Sequence, residues 1–278
     1  AMTVQRLYPP PWTPELPLAG LYLEQPLPPE PAQGAWLYTN FVTSLDGRIS
    51  LDHGGGCRIP GSIANDRDWR LFQELAARAD CLITTGRYLR ELAAGCAQDI
   101  LPLGAEFDDL RRWREAAGMP AQPDVAIVSA SLDFAIPPLL REQGRRLWLL
   151  APREAAAERL AAHRRAGAEV LPYPGGEQAE GAGIRHALER LGYRRIYSVA
   201  GPQLARTLIA GGALDTLFLT VRHRVIGGAA GSFETLIEGA PLTGSQAFEL
   251  RWLYLDPAPE GAGQHFARLD ATPAARRG

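Results

Sequence analysis

Short, almost wholly apolar runs recur along the middle of this chain, and a stretch of helical periodicity separates each from the next. The runs read as strands at residues 36–44, 81–85, 125–129, 147–150, 169–173, 196–200, 216–221 and 248–255, with one more at 264–269. Strands of four to six residues with no polar face are covered on both sides. Amphipathic helices fit between them. One is capped by Ser62 and carries Trp69, Phe72, Ala76 and Ala79 every three or four residues; others span 107–117, 154–166, 184–191 and 203–210. This alternation predicts an α/β fold with a mostly parallel central sheet and flanking helices on both faces. The runs at 217–224 and 248–255 are joined by a long Gly-containing segment with no helix, which predicts an antiparallel C-terminal edge.

The ends of the chain read differently. Residues 1–35 hold Pro9-Pro10-Pro11 and Pro26-Leu27-Pro28-Pro29, and proline removes backbone donors and fixes φ, so this stretch reads as an extended N-terminal arm or a disordered leader. Residues 36–270 read as one domain and 271–278 as a loose tail.

Composition narrows the function. With 29 basic and 31 acidic side chains interspersed, for a net charge of -2, the chain has no basic stripe for a nucleic-acid backbone or an anionic lipid surface. Every basic residue is Arg. No window approaches the length of a membrane span, and no basic segment followed by an apolar stretch marks a secretory signal, so the cytoplasm is the expected location. Cys57, Cys81 and Cys96 form no CxxC pair and the five histidines show no ligand spacing, so no protein-bound metal is expected. Cys81, inside an apolar run, reads as a small buried hydrophobe.

In an open α/β sheet, ligands bind at the carboxyl ends of the strands, where helix N-termini offer free amides. The run at 196–200 leads into Gly201-Pro202-Gln203 and a helix, a turn that lets a pyrophosphate approach the backbone or simply connects two elements. A G-x-G-x-x-G motif after the first strand is absent. Ser44-Leu45-Asp46-Gly47-Arg48 stands there instead, with Asp46-Gly47 a turn signal. The glycines of residues 53–56, followed by Cys57-Arg58, read as a loop beside a site or on the surface. Thr84-Thr85-Gly86-Arg87 brings two hydroxyls, a bare backbone and a guanidinium to the next strand end; Arg87 either holds a phosphate or pairs with Glu91 at i+4.

Together these segments resemble the reductase domain of the riboflavin-biosynthesis deaminase/reductase family, whose fold is dihydrofolate-reductase-like. The likeness runs through the first-strand segment Thr39 to Ile49, which ends in Ser44-Leu45-Asp46-Gly47-Arg48; through Ala79-Asp80-Cys81-Leu82-Ile83-Thr84-Thr85-Gly86; and through Ala200-Gly201-Pro202-Gln203-Leu204 followed by Leu208 to Leu217. The resemblance implies NADPH as cofactor, reduction of 5-amino-6-(5-phosphoribosylamino)uracil to its ribitylamino product, and a homodimer. By position, Val42, Thr43, Thr85, Gly86, Ser129, Gly201, Pro202, Gln203 and Leu204 would line the cofactor site, while Ser44, Asp46, Gly56 and Arg58 would face a phosphorylated pyrimidine. Asp46 is expected either to orient the substrate or to relay the proton. Arg87 and Arg153, each past a strand end, are expected at the extra phosphate of NADPH. The family's deaminase half, with its zinc-binding motifs, is missing from the sequence, which implies a stand-alone reductase.

Two departures fall on the substrate side. Tyr88 to Ala94 replaces the family's usual segment after the second strand, and Val199 stands where an acidic residue normally precedes the glycine turn. They leave room for a different pterin-like, carbonyl or imine substrate, or for a nucleotide-binding protein without catalysis.

Overall fold

The computed structural model describes residues 2–25, 34–52, 57–61, 63–173, 177–257 and 262–273, with the side chains of 57, 58 and 177–179 left aside. In chain order the elements are β1 (Thr3–Tyr8), β2 (Thr13–Pro17), β3 (Trp36–Ser44), β4 (Ser50–Asp52), β5 (Cys57–Arg58), α1 (Asp66–Arg78), β6 (Cys81–Thr85), α2 (Gly86–Ala93), α3 (Asp108–Ala116) and β7 (Asp124–Val128). They continue as α4 (Pro138–Glu142), β8 (Leu147–Pro152), α5 (Ala157–Arg165), β9 (Glu169–Tyr173), α6 (Glu177–Arg190), β10 (Arg195–Ser198), α7 (Pro202–Ala210), β11 (Thr216–Arg222), β12 (Phe233–Glu234), β13 (Phe248–Asp256) and β14 (Gln264–Ala271).

Eleven strands form one sheet in the order β2-β1-β13-β14-β11-β3-β10-β6-β7-β8-β9, and β12-β4-β5 form a small second sheet. Every neighbouring pair from β11 to β9 is parallel. Every pair from β2 to β11 is antiparallel. The α/β class, the parallel sheet and the antiparallel edge therefore stand as expected.

The apolar runs have a direct cause. Successive side chains of a strand point to opposite faces, and both faces are covered here. Tyr38, Leu82, Val125, Ile127, Leu149 and Tyr197 pack with Leu71 and Leu75 of α1 and Leu110 of α3. Their sequence neighbours Leu37, Cys81, Ile83, Ala126, Leu150 and Ile196 pack on the other face with Ile184 and Leu188 of α6 and Leu204 and Leu208 of α7. Cys81 is fully buried, as its apolar surroundings predict.

Three features differ from the sequence reading. Strands β11 and β13 are not neighbours, because β14 lies between them and pairs antiparallel with both. The helix α1 starts later than Ser62, with Asn65 as its cap: Asn65 Oδ1 accepts the Asp68 N–H at 2.9 Å. Ser62 itself lies outside the described residues. The Pro-rich stretch forms two strands, with Pro9 to Pro11 confined to the turn between them, so that β1 pairs with β13 and β2 with β1.

Beyond that hairpin the chain enters the core. Leu18, Leu21 and Tyr22 are buried against the strands. Tyr22 packs on Phe218 at 4.9 Å and Trp252 at 5.3 Å between ring centroids. The fully buried carboxylate of Glu74, on α1, accepts the backbone N–H groups of Gly20 and of Tyr22, the latter at 3.0 Å, and the Arg70 guanidinium at 3.2 Å. From the last turn of α1, Arg78 donates to the Tyr22 carbonyl oxygen at 2.7 Å. Residues 3–22 are thereby built into the sheet and its core.

Replacing Glu74 with Gln keeps the volume but turns one acceptor into a donor facing a backbone N–H. A buried polar group left unsatisfied costs about 1–3 kcal/mol. The expected result is a lower urea midpoint for Glu74→Gln at an unchanged slope; an unaltered midpoint would show that the segment is not held this way.

Candidate active site

The cleft follows from the strand order. From β3 the chain steps to β6, β7, β8 and β9, then returns so that β10 slots between β3 and β6. The helix after β3, α1, and the helix after β10, α7, consequently lie on opposite faces of the sheet. A crevice opens outside the strand ends at such a reversal. Here it is a cleft of about 1220 Å³, walled by Asn40 to Val42, the start of α1, Thr85 to Tyr88, Val128 to Ser131 and Val199 to Leu204. The small sheet closes it with Ser50 and Glu234, joined by a 2.8 Å hydrogen bond from the Ser50 hydroxyl.

Three helices start at this cleft, and their first amide groups are treated differently. The α1 start is capped by Asn65, and α2 by Thr85, whose Oγ1 accepts the Tyr88 N–H at 3.2 Å. The α7 start has no side-chain cap, with Gly201 at the cap position and Pro202 in the first turn. Its leading N–H groups are donors that the helix itself cannot satisfy. A Cβ built on Gly201 would meet nothing within 4 Å, and its φ of -75° suits any residue. Neither packing nor conformation requires the glycine, which leaves bare backbone on the cleft wall. Gly86 has a different reason: a Cβ there would lie 2.7 Å from Phe134 and 2.8 Å from the Ser129 hydroxyl, so its absence lets the ends of β6 and β7 close together.

Of the residues expected at the cofactor, Val42, Thr85, Gly86, Arg87, Ser129, Gly201, Pro202, Gln203 and Leu204 meet on the wall of this one cleft. Thr43 and Ser44 are buried beside it and do not line it, and the Thr43 hydroxyl donates to the Ser44 carbonyl oxygen at 3.0 Å. Arg153 is exposed in the turn after β8 and is not on the wall. Arg87 reaches the wall already engaged, with Glu91 at 2.9 Å and Glu234 at 3.5 Å. Arg90, one helical turn on, also lines the cleft; it donates to neutral oxygens, the Asp133 carbonyl at 2.9 Å and the Ser131 hydroxyl at 3.5 Å. Gly56 and the Arg58 side chain lie outside the described residues.

Asp46, expected to orient the substrate or relay a proton, is engaged by the turn that carries it. It sits in the turn after β3, where Gly47 has φ +83°, and its carboxylate accepts from the Ser44 hydroxyl at 2.5 Å, from Gly227 N–H at 2.8 Å and from Ile226 N–H at 3.2 Å. The Ser44 bond, with the backbone bonds from Gly227 and Ile226, outweighs desolvation and holds its carboxyl down to about 2. A group so acidic has no proton to give near neutral pH. Asp46 ties the turn to the loop at Ile226 and Gly227, and it is not on the cleft wall.

The carboxyl on the wall that burial does perturb is Asp68, in the first turn of α1. Desolvation pushes it up to about 6 even though the Thr220 hydroxyl, donating at 2.6 Å, favours the anion. Beside it on the helix, Trp69 and Phe72 stack at 5.1 Å and present flat apolar surface to the cleft. A signal for Asp68 existed in the sequence: it falls on the same helical face as Leu71, Phe72 and Leu75, which are all in the core or against it. A titratable group placed on an apolar face and opening into a cleft is a candidate for acid–base work.

Among the described residues no cluster of three or more His, Cys, Asp or Glu is placed to hold a metal, and no helix is long and apolar enough to cross a membrane.

Comparison with known proteins accords with this geometry. Among solved structures the chain is similar to a pyrimidine reductase-like protein from Corynebacterium diphtheriae, with TM-score 0.64 and 20% identity over 86% of this chain and 92% of that one. It is also similar to RibD from Acinetobacter baumannii, with TM-score 0.60 and 16% identity over 86% of this chain and 58% of that one. A diaminohydroxyphosphoribosylaminopyrimidine deaminase/5-amino-6-(5-phosphoribosylamino)uracil reductase from Thermotoga maritima gives TM-score 0.56 and 11% identity over 86% of this chain and 57% of that one. At such identities the likeness is one of fold. No curated protein matches the sequence. A family model described as the RibD C-terminal domain matches residues 35–252, from the strand before the cleft to the antiparallel edge, and the chain belongs to that family.

Proposed function

We propose that the protein is an NADPH-dependent reductase of 5-amino-6-(5-phosphoribosylamino)uracil, yielding the ribitylamino product of the riboflavin pathway. The observation that carries this reading is the meeting of Val42, Gly86, Ser129 and Gly201, from four adjacent parallel strands, in one cleft that also holds a buried carboxyl. Family membership supports it.

The cleft fits a dinucleotide. The uncapped amides of α7 and the bare backbone of Gly201 suit a pyrophosphate. Arg90, with neutral partners, is better placed than Arg153 to meet the additional phosphate of NADPH, and Arg87 must first leave its carboxylates. When bound, the nicotinamide supplies a hydride. Conversion of ribosyl to ribityl adds that hydride at the sugar C1 and one proton besides. Asp68 holds a proton at its carboxyl up to about pH 6 and can release it into the cleft. Trp69 and Phe72 orient a planar ring and exclude water from one side.

The second reading keeps the reductase and changes the substrate. Val199 lies on the cleft wall and offers no acceptor, and the segment after Gly86 is a helix whose Tyr88 hydroxyl is used internally, donating to the Gln98 carbonyl at 2.6 Å and accepting from Ile100 N–H at 3.0 Å. Both features favour a pterin-like or other carbonyl or imine compound. A homodimer in the cytoplasm belongs to the first reading.

Loss of reduced-nicotinamide absorbance on adding the aminopyrimidine phosphate decides between the two; NADPH binding without turnover on either substrate class leaves a non-catalytic nucleotide-binding protein. Asp68→Asn should cut kcat by about 10²–10⁴-fold with little change in the Kd for NADPH. The acid is present below its raised value and is lost as pH rises through it, so the wild-type kcat should decline above about pH 6 and the variant should lack that limb. Gly201→Ala should weaken NADPH binding, measured by calorimetry, without lowering the thermal midpoint. Arg90→Gln should narrow the preference for NADPH over NADH by about tenfold, the scale of one charge-assisted hydrogen bond.

A further inference from the structure

Tyr22 falls outside the family match at residues 35–252, yet it stands behind the carboxyl that serves the cleft. Its backbone is fixed to α1 on both sides, by Glu74 through the N–H and by Arg78 through the carbonyl oxygen. Its ring is enclosed by Phe218, Trp252 and Phe266, at 4.9, 5.3 and 6.4 Å between centroids. The side chain is 1% exposed, and its hydroxyl makes no well-formed hydrogen bond among the described residues. So strong a constraint on an unsatisfied polar atom calls for a reason.

The groups that act on that hydroxyl supply one. They are Asp68 and Glu74 from α1, Thr220 from β11 and Tyr254 from β13; Tyr197 of β10 faces Asp68 and Tyr22 as well. Of these, Glu74 is occupied by Gly20, Tyr22 and Arg70 donors. Thr220 spends its single proton on Asp68, at 2.6 Å, and a hydroxyl keeps two lone pairs as acceptors. The Tyr22 hydroxyl is therefore a donor beside an acceptor that has a free lone pair.

We propose that Tyr22 is a positioning residue for the reduction: when Asp68 gives up its proton, the Tyr22 hydroxyl closes onto Thr220 as a donor, Thr220 donates to Asp68, and this chain steadies the carboxylate. The neutral carboxyl asks little of a second donor. The anion asks more, because hydrogen bonds in a chain polarise one another and charge strengthens them. The inference rests on Asp68 as the proton donor, and it assigns part of the active site to the segment before residue 35.

The test follows the Asp68 carboxyl directly, by carbon-13 NMR titration of the full chain with its signal assigned through Asp68→Asn, and in parallel by the pH profile of kcat. Tyr22→Phe should raise the Asp68 midpoint by about half to one pH unit, the equivalent of one ordinary hydrogen bond. The urea midpoint should not fall, because the lost hydroxyl has no well-formed bond in the resting protein. Thr220→Val should raise the midpoint as well, and adding Tyr22→Phe to it should then do nothing more. An unmoved midpoint in Tyr22→Phe, or a second full shift in the double variant, overturns the proposal. If Asp68→Asn keeps the pH limb of kcat, the proton-donor reading fails instead, and the NMR titration still reports whether Tyr22 acts through Thr220.

Discussion

Helix α1 has to be placed with precision, and a buried ion pair at its start does much of the placing. Arg67 meets the fully buried Asp256 of β13 through two contacts of 2.6 Å, and its second amino group also donates to the Thr3 carbonyl oxygen at 3.0 Å. Gln264 of β14 donates to the same carboxylate at 2.8 Å and exchanges hydrogen bonds with Asn65, the cap of the helix, at 2.9 and 3.1 Å. A buried carboxylate is tolerable only when its lone pairs are filled, and here Arg67 and Gln264 fill them. One consequence is that α1, the N-terminal hairpin and the last two strands are locked in a single register. Asp68, Trp69 and Phe72 inherit their positions from that lock.

From this anchor the sheet and the cleft connect through aromatic rings. Trp36 stacks on Tyr38 at 4.3 Å, Tyr38 on Tyr197 at 4.9 Å, Tyr197 meets Phe72 at 5.5 Å and Phe72 stacks on Trp69 at 5.1 Å. The Tyr38 and Tyr197 pair is a direct neighbour contact across parallel strands, and the Tyr38 hydroxyl donates to the Leu75 carbonyl oxygen of α1 at 2.6 Å. The run passes from the sheet interior to the cleft wall. Such rings have few internal rotations to lose, so a wall made of them is stiff before any ligand arrives.

Much of this was legible in the sequence, for physical reasons that also mark the failures. The central strands announce themselves because both faces are buried, and Gly86 and Gly201 stand out because glycine at a strand end lets other groups come close. The start of the chain misled because proline statistics are local: Pro9 to Pro11 rule out a strand at their own positions and say nothing of residues 3–8. Asp46 is ambiguous in the sequence because a carboxylate beside glycine serves a turn as readily as a substrate. Asp68 went unseen because a charged residue in the first turn of a helix ordinarily complements the helix dipole; only its place on the Leu71 and Leu75 face betrays it. The insertion of β14 between β11 and β13 has no local signal, since it is decided by which of the two final strands fits better into the interior.

The outer strands settle a different matter. Among the described residues the open sheet of eleven strands has two unpaired borders, and an unpaired border invites a strand from another molecule. On one side β2 carries Pro14, Glu15 and Pro17; on the other β9 carries Glu169 and Pro172. Prolines offer no hydrogen to an incoming strand, and exposed carboxylates resist close lateral approach. The prolines that make the beginning of this chain look unfit for a sheet thus help keep the sheet from growing beyond the molecule, a guard against fibrous self-association written into its first twenty residues.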